Sequence, residues 1–153
     1  MVLERTYVTD TTDILKVFKH SVQQIGSLDY SQQQIEAWIS SAEDIQKWKK
    51  NIANDYFIKA VKNDYPVGFA SLKNNNFLDY LYISPNYQKK GIAQKLLNHL
   101  ISIAKENKSD CIKTNSSKSA LKFFLNNGFE ILDTNILKIG GTSLENYKMI
   151  LML

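Results

Sequence analysis

A single cysteine among 153 residues leaves no partner for an internal disulfide. That cysteine, Cys111, lies in an apolar, strand-like stretch and reads as a small buried residue rather than a nucleophile. The two histidines, His20 and His99, fall in helical patterns without the paired spacing of a metal site, so no metal is expected. No apolar run approaches the ~20 residues of a membrane-spanning helix. The opening MVLERTYVTD has no apolar signal core. No membrane association is expected, and the cytoplasm is the expected compartment. The sequence carries no linker, repeat or low-complexity segment. An apolar content of 44% and a charged content of 22% exclude a disordered chain. The length suits one domain over 1–153 with one core. The net charge of +4 is mild. It favours anionic ligands, but without a dense basic patch no nucleic-acid partner is expected.

What is present is strong periodicity. Residues 3–8 read as an opening strand, with Thr9 or Asp10 as cap for a helix carrying Ile14, Leu15, Phe18, Val22 and Ile25 inward and ending at Gly26. Ser31 caps a second helix with Ile35, Trp38 and Ile39. A third starts near Ser41, with Glu43 and Asp44 in its first turn and Ile45, Trp48 and Ile52 on one face. The pattern then changes to strands at 56–61, 67–72 and 77–83, separated by the turn chemistry of Asn63-Asp64-Tyr65-Pro66 and Asn74-Asn75-Asn76, an antiparallel meander. A helix from Ile92 to about Asn107, a strand at 110–114 and a helix at 117–127 come next, the last with Ala120, Leu121, Phe124 and Leu125 inward and Gly128 as its stop. Strands at 129–139 and 143–151 close the chain around Gly140-Gly141. This order predicts an α/β fold of the α+β kind, a mixed sheet with helices on its faces.

The stretch 77–100, FLDYLYISPNYQKKGIAQKLLNHL, organises the rest. It reads as an apolar strand, a loop rich in amides and lysines, one glycine and an amphipathic helix. A helix start has unpartnered N–H groups and a partial positive charge, which suits phosphate. Gly91 stands at that start with no side chain to hold a phosphate away from the backbone, and Lys89 and Lys90 add charge at the rim.

Gln88-Lys89-Lys90-Gly91-Ile92-Ala93, preceded by Leu81-Tyr82-Ile83-Ser84-Pro85, resembles the acyl-CoA-binding motif of the GNAT superfamily of N-acetyltransferases. The segment from Ala120 to Phe129 resembles the family's stretch ending in Gly-Phe, and Tyr30-Ser31, Trp38 and Trp48 resemble a bacterial branch of small members. The resemblance covers nearly the whole chain. It implies the GNAT fold, a central mostly antiparallel sheet with helices on both faces, and acetyl-CoA as acetyl donor. It places the pantetheine arm on the backbone of Leu81, Tyr82 and Ile83, and the pyrophosphate on Lys89, Lys90, Gly91, Ile92, Ala93 and Gln94, with Gln88 at the mouth. Ser117 takes the place where many relatives carry a cofactor-contacting asparagine; as a plain sequence feature it is equally an N-cap.

The implied reaction is direct attack of an amine on the thioester, with a small-molecule amine as acceptor. Protein or peptide acetylation, and a CoA-binding module without catalysis, are the alternatives. Small relatives often dimerise, which implies a homodimer. The acceptor region holds Tyr30 and Trp38, where aromatics either stack on substrate or anchor the core; for Trp48 a core position is expected. An alkyl ammonium must lose a proton before it attacks. Some relatives keep a glutamate at the position of Phe77. Asp79 lies two residues on, and strict alternation puts it with Phe77, Leu81 and Ile83, opposite Leu78, Tyr80 and Tyr82. An acid in an apolar strand tends towards a raised pKa, so Asp79 is the candidate base, directly or through a water. A structural hydrogen bond or ion pair is the other account of it. Where many relatives place a tyrosine acid this chain has Phe124, and Tyr147 is a substitute by position alone.

Overall fold

The computed structural model describes residues 1–25 and 29–153. Along the chain come β1 (Val2–Arg5), α1 (Thr11–Gln24), α2 (Gln32–Ser40), α3 (Ile45–Asn54), β2 (Tyr56–Lys62), β3 (Tyr65–Lys73) and β4 (Phe77–Ile83). The second half holds α4 (Ile92–Glu106), β5 (Cys111–Ser117), α5 (Leu121–Asn126), β6 (Glu130–Ile139) and β7 (Thr142–Met152). They build a mixed α/β fold around a seven-stranded sheet of order β1-β2-β3-β4-β5-β7-β6. Every neighbouring pair is antiparallel except β4 and β5.

Turn chemistry sets the register. Asn63 and Asp64 have φ of 52° and 67° between the paired Lys62 and Tyr65, and Gly140 and Gly141 have φ of 53° and 82° between Ile139 and Thr142. Two successive left-handed residues give the turn whose twist matches a right-twisted hairpin. Asn and Asp tolerate that region through local side-chain bonding, and glycine through its missing Cβ.

The sheet divides the apolar interior in two. On one face α4 buries Ile92, Leu96, Leu97, Leu100 and Ala104 against Leu72, Leu78, Ile83 and Ile112, and α5 adds Phe124. The other face is covered by α1–α3, whose Ile14, Phe18, Val22, Ile35, Trp48 and Ile52 pack on Phe57 and Phe69. Trp48 sits at the centre of this second core. It is 2% exposed, its ring stacks on Tyr80 at 4.5 Å, and its indole N–H donates to the Ser41 carbonyl at 2.9 Å.

The structure corrects several boundaries. The opening strand stops at Arg5, because the Tyr7 N–H turns to donate to the Asp10 carboxylate at 2.8 Å. That carboxylate also takes Lys59 Nζ at 2.9 Å, and it makes no side-chain cap on α1. Ser31 caps α2, accepting the Gln34 N–H at 3.1 Å. α3 starts at Ile45, capped by Asp44 through the Lys47 N–H, so Ile45 lies in the first turn and is 47% exposed instead of inward. β5 runs on to Ser117, and the helix expected from 117 starts at Leu121. In that shorter helix Phe124 points inward and Leu125 is exposed. The helix stop expected at Gly26 lies outside the described residues.

The alternation expected along β4 also fails, at one point. Ser71 pairs with Tyr80, but Leu72 pairs with Leu78, which leaves Asp79 as an extra residue opposite β3. This β-bulge swaps the faces before and after it. Leu78 therefore joins Leu81 and Ile83 in the α4 core, while Tyr80 and Tyr82 face α1–α3.

Truncating Trp48 to alanine is expected to cost about 3–5 kcal/mol, the usual loss for a buried aromatic. The urea unfolding midpoint checks this, and a shift equivalent to less than about 1 kcal/mol would remove Trp48 from the centre of the core.

Candidate functional site

β4 and β5 are paired only at Phe77–Lys113 and Leu78–Thr114. There the Thr114 hydroxyl donates to the Leu78 carbonyl at 2.8 Å and clasps the two strands. Beyond it they part. A bulge bends the strand that carries it, and the bulge at Asp79 sits directly after the last shared pair. The gap opens a cleft of about 840 Å³ through the middle of the sheet. One end is lined by Pro85, Gln88 and Ala93, the other by Ser41, Lys47 and Asp79.

At the first end α4 begins without a side-chain cap. The N–H groups of its first turn have no partner within the helix. Gly91 is the residue before it, with φ of 79°. A Cβ there would meet no protein atom within 4 Å, so the backbone angle, not crowding by the protein, is what demands glycine. Lys89, at φ 58°, is also left-handed. Lys89 and Lys90 are exposed, and Lys90 Nζ lies 5.4 Å from the Tyr87 ring centroid. The Ile92 side chain is buried in the core, so only its backbone faces the loop. Gln94 donates to Asn127 at 2.7 Å and to Asn98 at 2.9 Å, which ties α4 to the end of α5. Gln88 donates to the Ile83 carbonyl at 2.9 Å and folds the loop back onto β4. Leu81, Tyr82, Ile83, Gln88, Ala93 and Ser117 all line the cleft. The Ser117 hydroxyl accepts the Ala120 N–H at 3.2 Å and lies 3.1 Å from Ser119 Oγ, so it closes its own turn.

The second end holds Trp38, which the sequence left open between core and cleft, while Trp48 takes the core position expected of it. Trp48 is core. Trp38 lines the cleft, half-buried, and donates its indole N–H to the Tyr82 hydroxyl at 3.3 Å. Tyr30 lies edge-on to it at 5.3 Å and accepts the Lys118 N–H at 2.8 Å. Phe18 and Tyr82 meet edge-on at 5.0 Å beside them. Burial pushes the Tyr80 and Tyr82 phenols well above their ordinary range, which keeps both protonated at any working pH. Phe124 is buried at the cleft, a ring with no proton to give. Tyr147 packs as a strand residue against the α4 core, paired with Ser116.

Asp79 lines the cleft, half-buried, and no donor among the described residues bonds its carboxylate. Burial pushes it above the ordinary carboxylate range; Lys73 and Lys47 oppose the rise and Asp55 adds to it. Asp55 is itself raised by burial, with Oδ2 buried and unpartnered. Sequence reasoning missed Asp55, Lys47, Thr114 and the hairpin residues Leu137, Leu144 and Asn146. No spacing in the sequence points to them, because each is brought in by a distant segment. Among the described residues no group of three His, Cys, Asp or Glu could hold a metal, and no helix is long and apolar enough to cross a membrane.

The raised carboxyl of Asp79 has a sign that can be tested. A carboxyl whose folded pKa exceeds its unfolded one adds stability below the unfolded value, and that stability is lost as pH rises through the folded value. Asp79→Asn removes this loss. It should melt above the parent protein at neutral pH, with the gap closing as pH falls towards the ordinary 3.8. Thermal melts across that range check it, and a variant that melts lower at neutral pH would mark Asp79 as a structural ion-pair partner instead.

Three comparisons bear on this geometry. Residues 27–151 match the model of the acetyltransferase (GNAT) domain family. An uncharacterized N-acetyltransferase, YafP, of Escherichia coli K12 is 30% identical over 140 residues, covering 92% of this chain and 88% of that protein. A GCN5-related N-acetyltransferase from Rhodopseudomonas palustris superposes with a TM-score of 0.96 at 30% identity, covering 99% of this chain and 95% of that one. The PaiA N-acetyltransferase of Thermoplasma acidophilum, solved in complex with coenzyme A, shares the fold at a TM-score of 0.83 and 23% identity over the full length of both chains. With a match over most of its length and a cleft where β4 and β5 part, the chain belongs to the GNAT acetyltransferase family.

Proposed function

We propose that this chain, as one domain over 1–153, transfers the acetyl group of acetyl-CoA to the primary amine of a small molecule by direct attack. One observation carries the proposal: a single cleft joins an uncapped helix start to an unpaired, half-buried carboxylate, with an open strand edge between them. The donor fits the first end. The N–H groups at the start of α4 suit the pyrophosphate, with Lys89 and Lys90 nearby. The free edge of Leu81, Tyr82 and Ile83 suits an arm added as an extra strand. Coenzyme A in the Thermoplasma relative supports the same donor.

At the other end Asp79 accepts a proton from the acceptor ammonium, directly or through one water, and the freed amine attacks the thioester carbon. A backbone N–H at the β4 edge stabilises the oxyanion. The attacking nitrogen gives its second proton to solvent, and the C–S bond then breaks. Phe124 gives no proton, so the thiol, of ordinary pKa about 8.5, departs as thiolate and takes its proton from solvent. Tyr30 and Trp38 form the wall of the acceptor end.

A small acceptor is favoured over a peptide because the acceptor side is bridged. Gln34 Nε2 donates to the Ser143 carbonyl at 3.0 Å and Gln33 Nε2 to the Thr142 hydroxyl at 3.3 Å, which holds α2 against the β6–β7 hairpin. An extended peptide needs a continuous groove.

CoA release measured with acetyl-CoA and a panel of primary amines tests the activity. Binding of acetyl-CoA with no release from any amine would leave a CoA-binding module, and preference for a peptide would overturn the small acceptor. Asp79→Asn should keep acetyl-CoA affinity and lower kcat by roughly 10²-fold or more, the deficit shrinking as pH rises and free amine accumulates; a wild-type kcat and pH profile would leave solvent as the base. Gly91→Glu should abolish acetyl-CoA binding in calorimetry, since it adds a negative charge and a strained φ at the helix start; undiminished affinity would remove the phosphate site.

A further inference from the structure

Asn146 lines the cleft on β7, and its Oδ1 is buried without a hydrogen-bond partner. Its amide nitrogen makes no side-chain bond among the described residues either. Buried polar atoms in folded proteins are almost always bonded, so an orphan oxygen in the wall of a cleft signals a donor that arrives with a ligand.

The fold puts this amide on the side of Tyr30 and Trp38. Successive strand residues alternate between faces. Asn146 shares its face with Leu144, which packs in the α1–α3 core, while Tyr147 and Met149 turn to the α4 core. Ser117 on β5 and Asn135 on β6 oppose it across the strands, and opposed residues of an antiparallel pair project to the same side. Tyr30 reaches this row, since its hydroxyl accepts the N–H of Lys118, the residue after Ser117, at 2.8 Å. No neighbour satisfies Asn146. Ser117 Oγ is engaged with Ala120 and Ser119, and Lys118 is directed to Glu145 at 4.0 Å. Asn135 also lines the cleft and makes no side-chain bond among the described residues.

The open atoms limit the ligand. Oδ1 needs an N–H or O–H, and Nδ2 needs an acceptor. A carboxylate offers only acceptors and an ammonium only donors. A carboxamide presents one N–H beside one carbonyl and answers both atoms at once. The register sets the spacing. β4 and β5 pair in parallel at Leu78 and Thr114, which brings Asp79 level with Asn115, whereas Asn146 is level with Ser117 and one strand further on. Strand rise and strand spacing then put Asp79 and Asn146 roughly 12 Å apart at Cα. An amine at Asp79 and an amide at Asn146 are separated by several bonds.

We propose that the acceptor is an ω-amino amide, its amine received by Asp79 and its amide paired with the Asn146 carboxamide beside Tyr30 and Trp38. This rests on the reading of the chain as an amine acetyltransferase and names the class of amine.

The test compares acceptors of matched length. CoA release is measured with glycinamide, β-alaninamide and longer ω-amino amides, each beside the n-alkylamine and the ω-amino acid of the same length. The parent protein should prefer a longer amino amide over its alkylamine by about tenfold in kcat/KM, the scale of one hydrogen bond in a buried site. Asn146→Leu, close in volume, should erase that preference. Should it fold poorly, Asn146→Asp keeps the shape, removes the donor and should lower the same ratio. An equal fall for amides and alkylamines would make the residue structural and overturn the proposal. So would an unchanged preference, or a loss of acetyl-CoA affinity in calorimetry that matches the loss of turnover. Preference confined to glycinamide, whose amide adjoins its amine as in a peptide, would overturn it as well. If the parent protein releases CoA from no amine, the transferase reading falls by itself. Binding of the same amides and alkylamines to the CoA-loaded protein, followed by tryptophan fluorescence, then decides Asn146: tighter amide binding that Asn146→Leu abolishes supports its role, and equal binding of the two series overturns it.

Discussion

The parting of β4 from β5 is the constraint on which the rest of the molecule depends. A parallel pair normally stays bonded along its length, because each unpaired buried backbone group costs free energy. Here pairing ends after Leu78 and Thr114. The bulge at Asp79 begins the divergence, and Thr114 bonding the Leu78 carbonyl marks where the pair closes. The result is an opening in the centre of a sheet whose remaining strands are well paired. The strand edges that would be a liability in a storage or structural protein become main-chain donors and acceptors facing a cleft. The same one-residue insertion turns Leu78 into the α4 core, sends Tyr80 and Tyr82 to the other face, and leaves a carboxylate at the inner end. One local irregularity thus sets the width of the cleft, the composition of both its walls and the location of the β4 carboxylate.

Most of the fold was legible because its signals are local. Apolar positions at a 3.6-residue period drew α1 and α4, and paired left-handed residues drew the two hairpins. The loop at Gly91 could be read from the same kind of signal, since a helix start and a glycine are neighbours in the chain. The bulge could not be read. It exists only in the register between β3 and β4, and each strand taken alone alternates without a break. Ile45 and Leu125 were misplaced for a related reason: a helix that starts a few residues later turns a different face inward, and cap geometry decides the start. Trp38 and Trp48 each sit on the apolar face of a helix, so periodicity assigns them alike. What separates them is the neighbour across the sheet, Tyr80 stacked on Trp48 and the cleft beside Trp38. Asn146 was invisible for the plainest reason. The sequence shows an amide, and only the assembled strands show that its oxygen is left without a bond.

Two kinds of residue make up the cleft. At the end proposed for the donor the groups on offer belong to the backbone, namely N–H groups of α4 and the edge of β4, and side chains such as Gln88, Gln94 and Ser117 are occupied in fixing loops and turns. At the end proposed for the acceptor they belong to side chains, aromatic rings and one raised carboxylate. Backbone recognition tolerates substitution; side-chain recognition does not.

The sheet that separates the two cores also separates the consequences of mutation. α4 and α5 lean on one interior, α1, α2 and α3 on the other, and the residues of the two packed clusters are distinct. Substitutions far apart and without shared neighbours act nearly independently on stability. Changes of shape in the α1–α3 layer can therefore remodel the cleft wall at Tyr30 and Trp38 while the start of α4 stays packed as it was. Under the proposed function, a scaffold divided in this way can exchange one acceptor for another and keep the same acetyl donor.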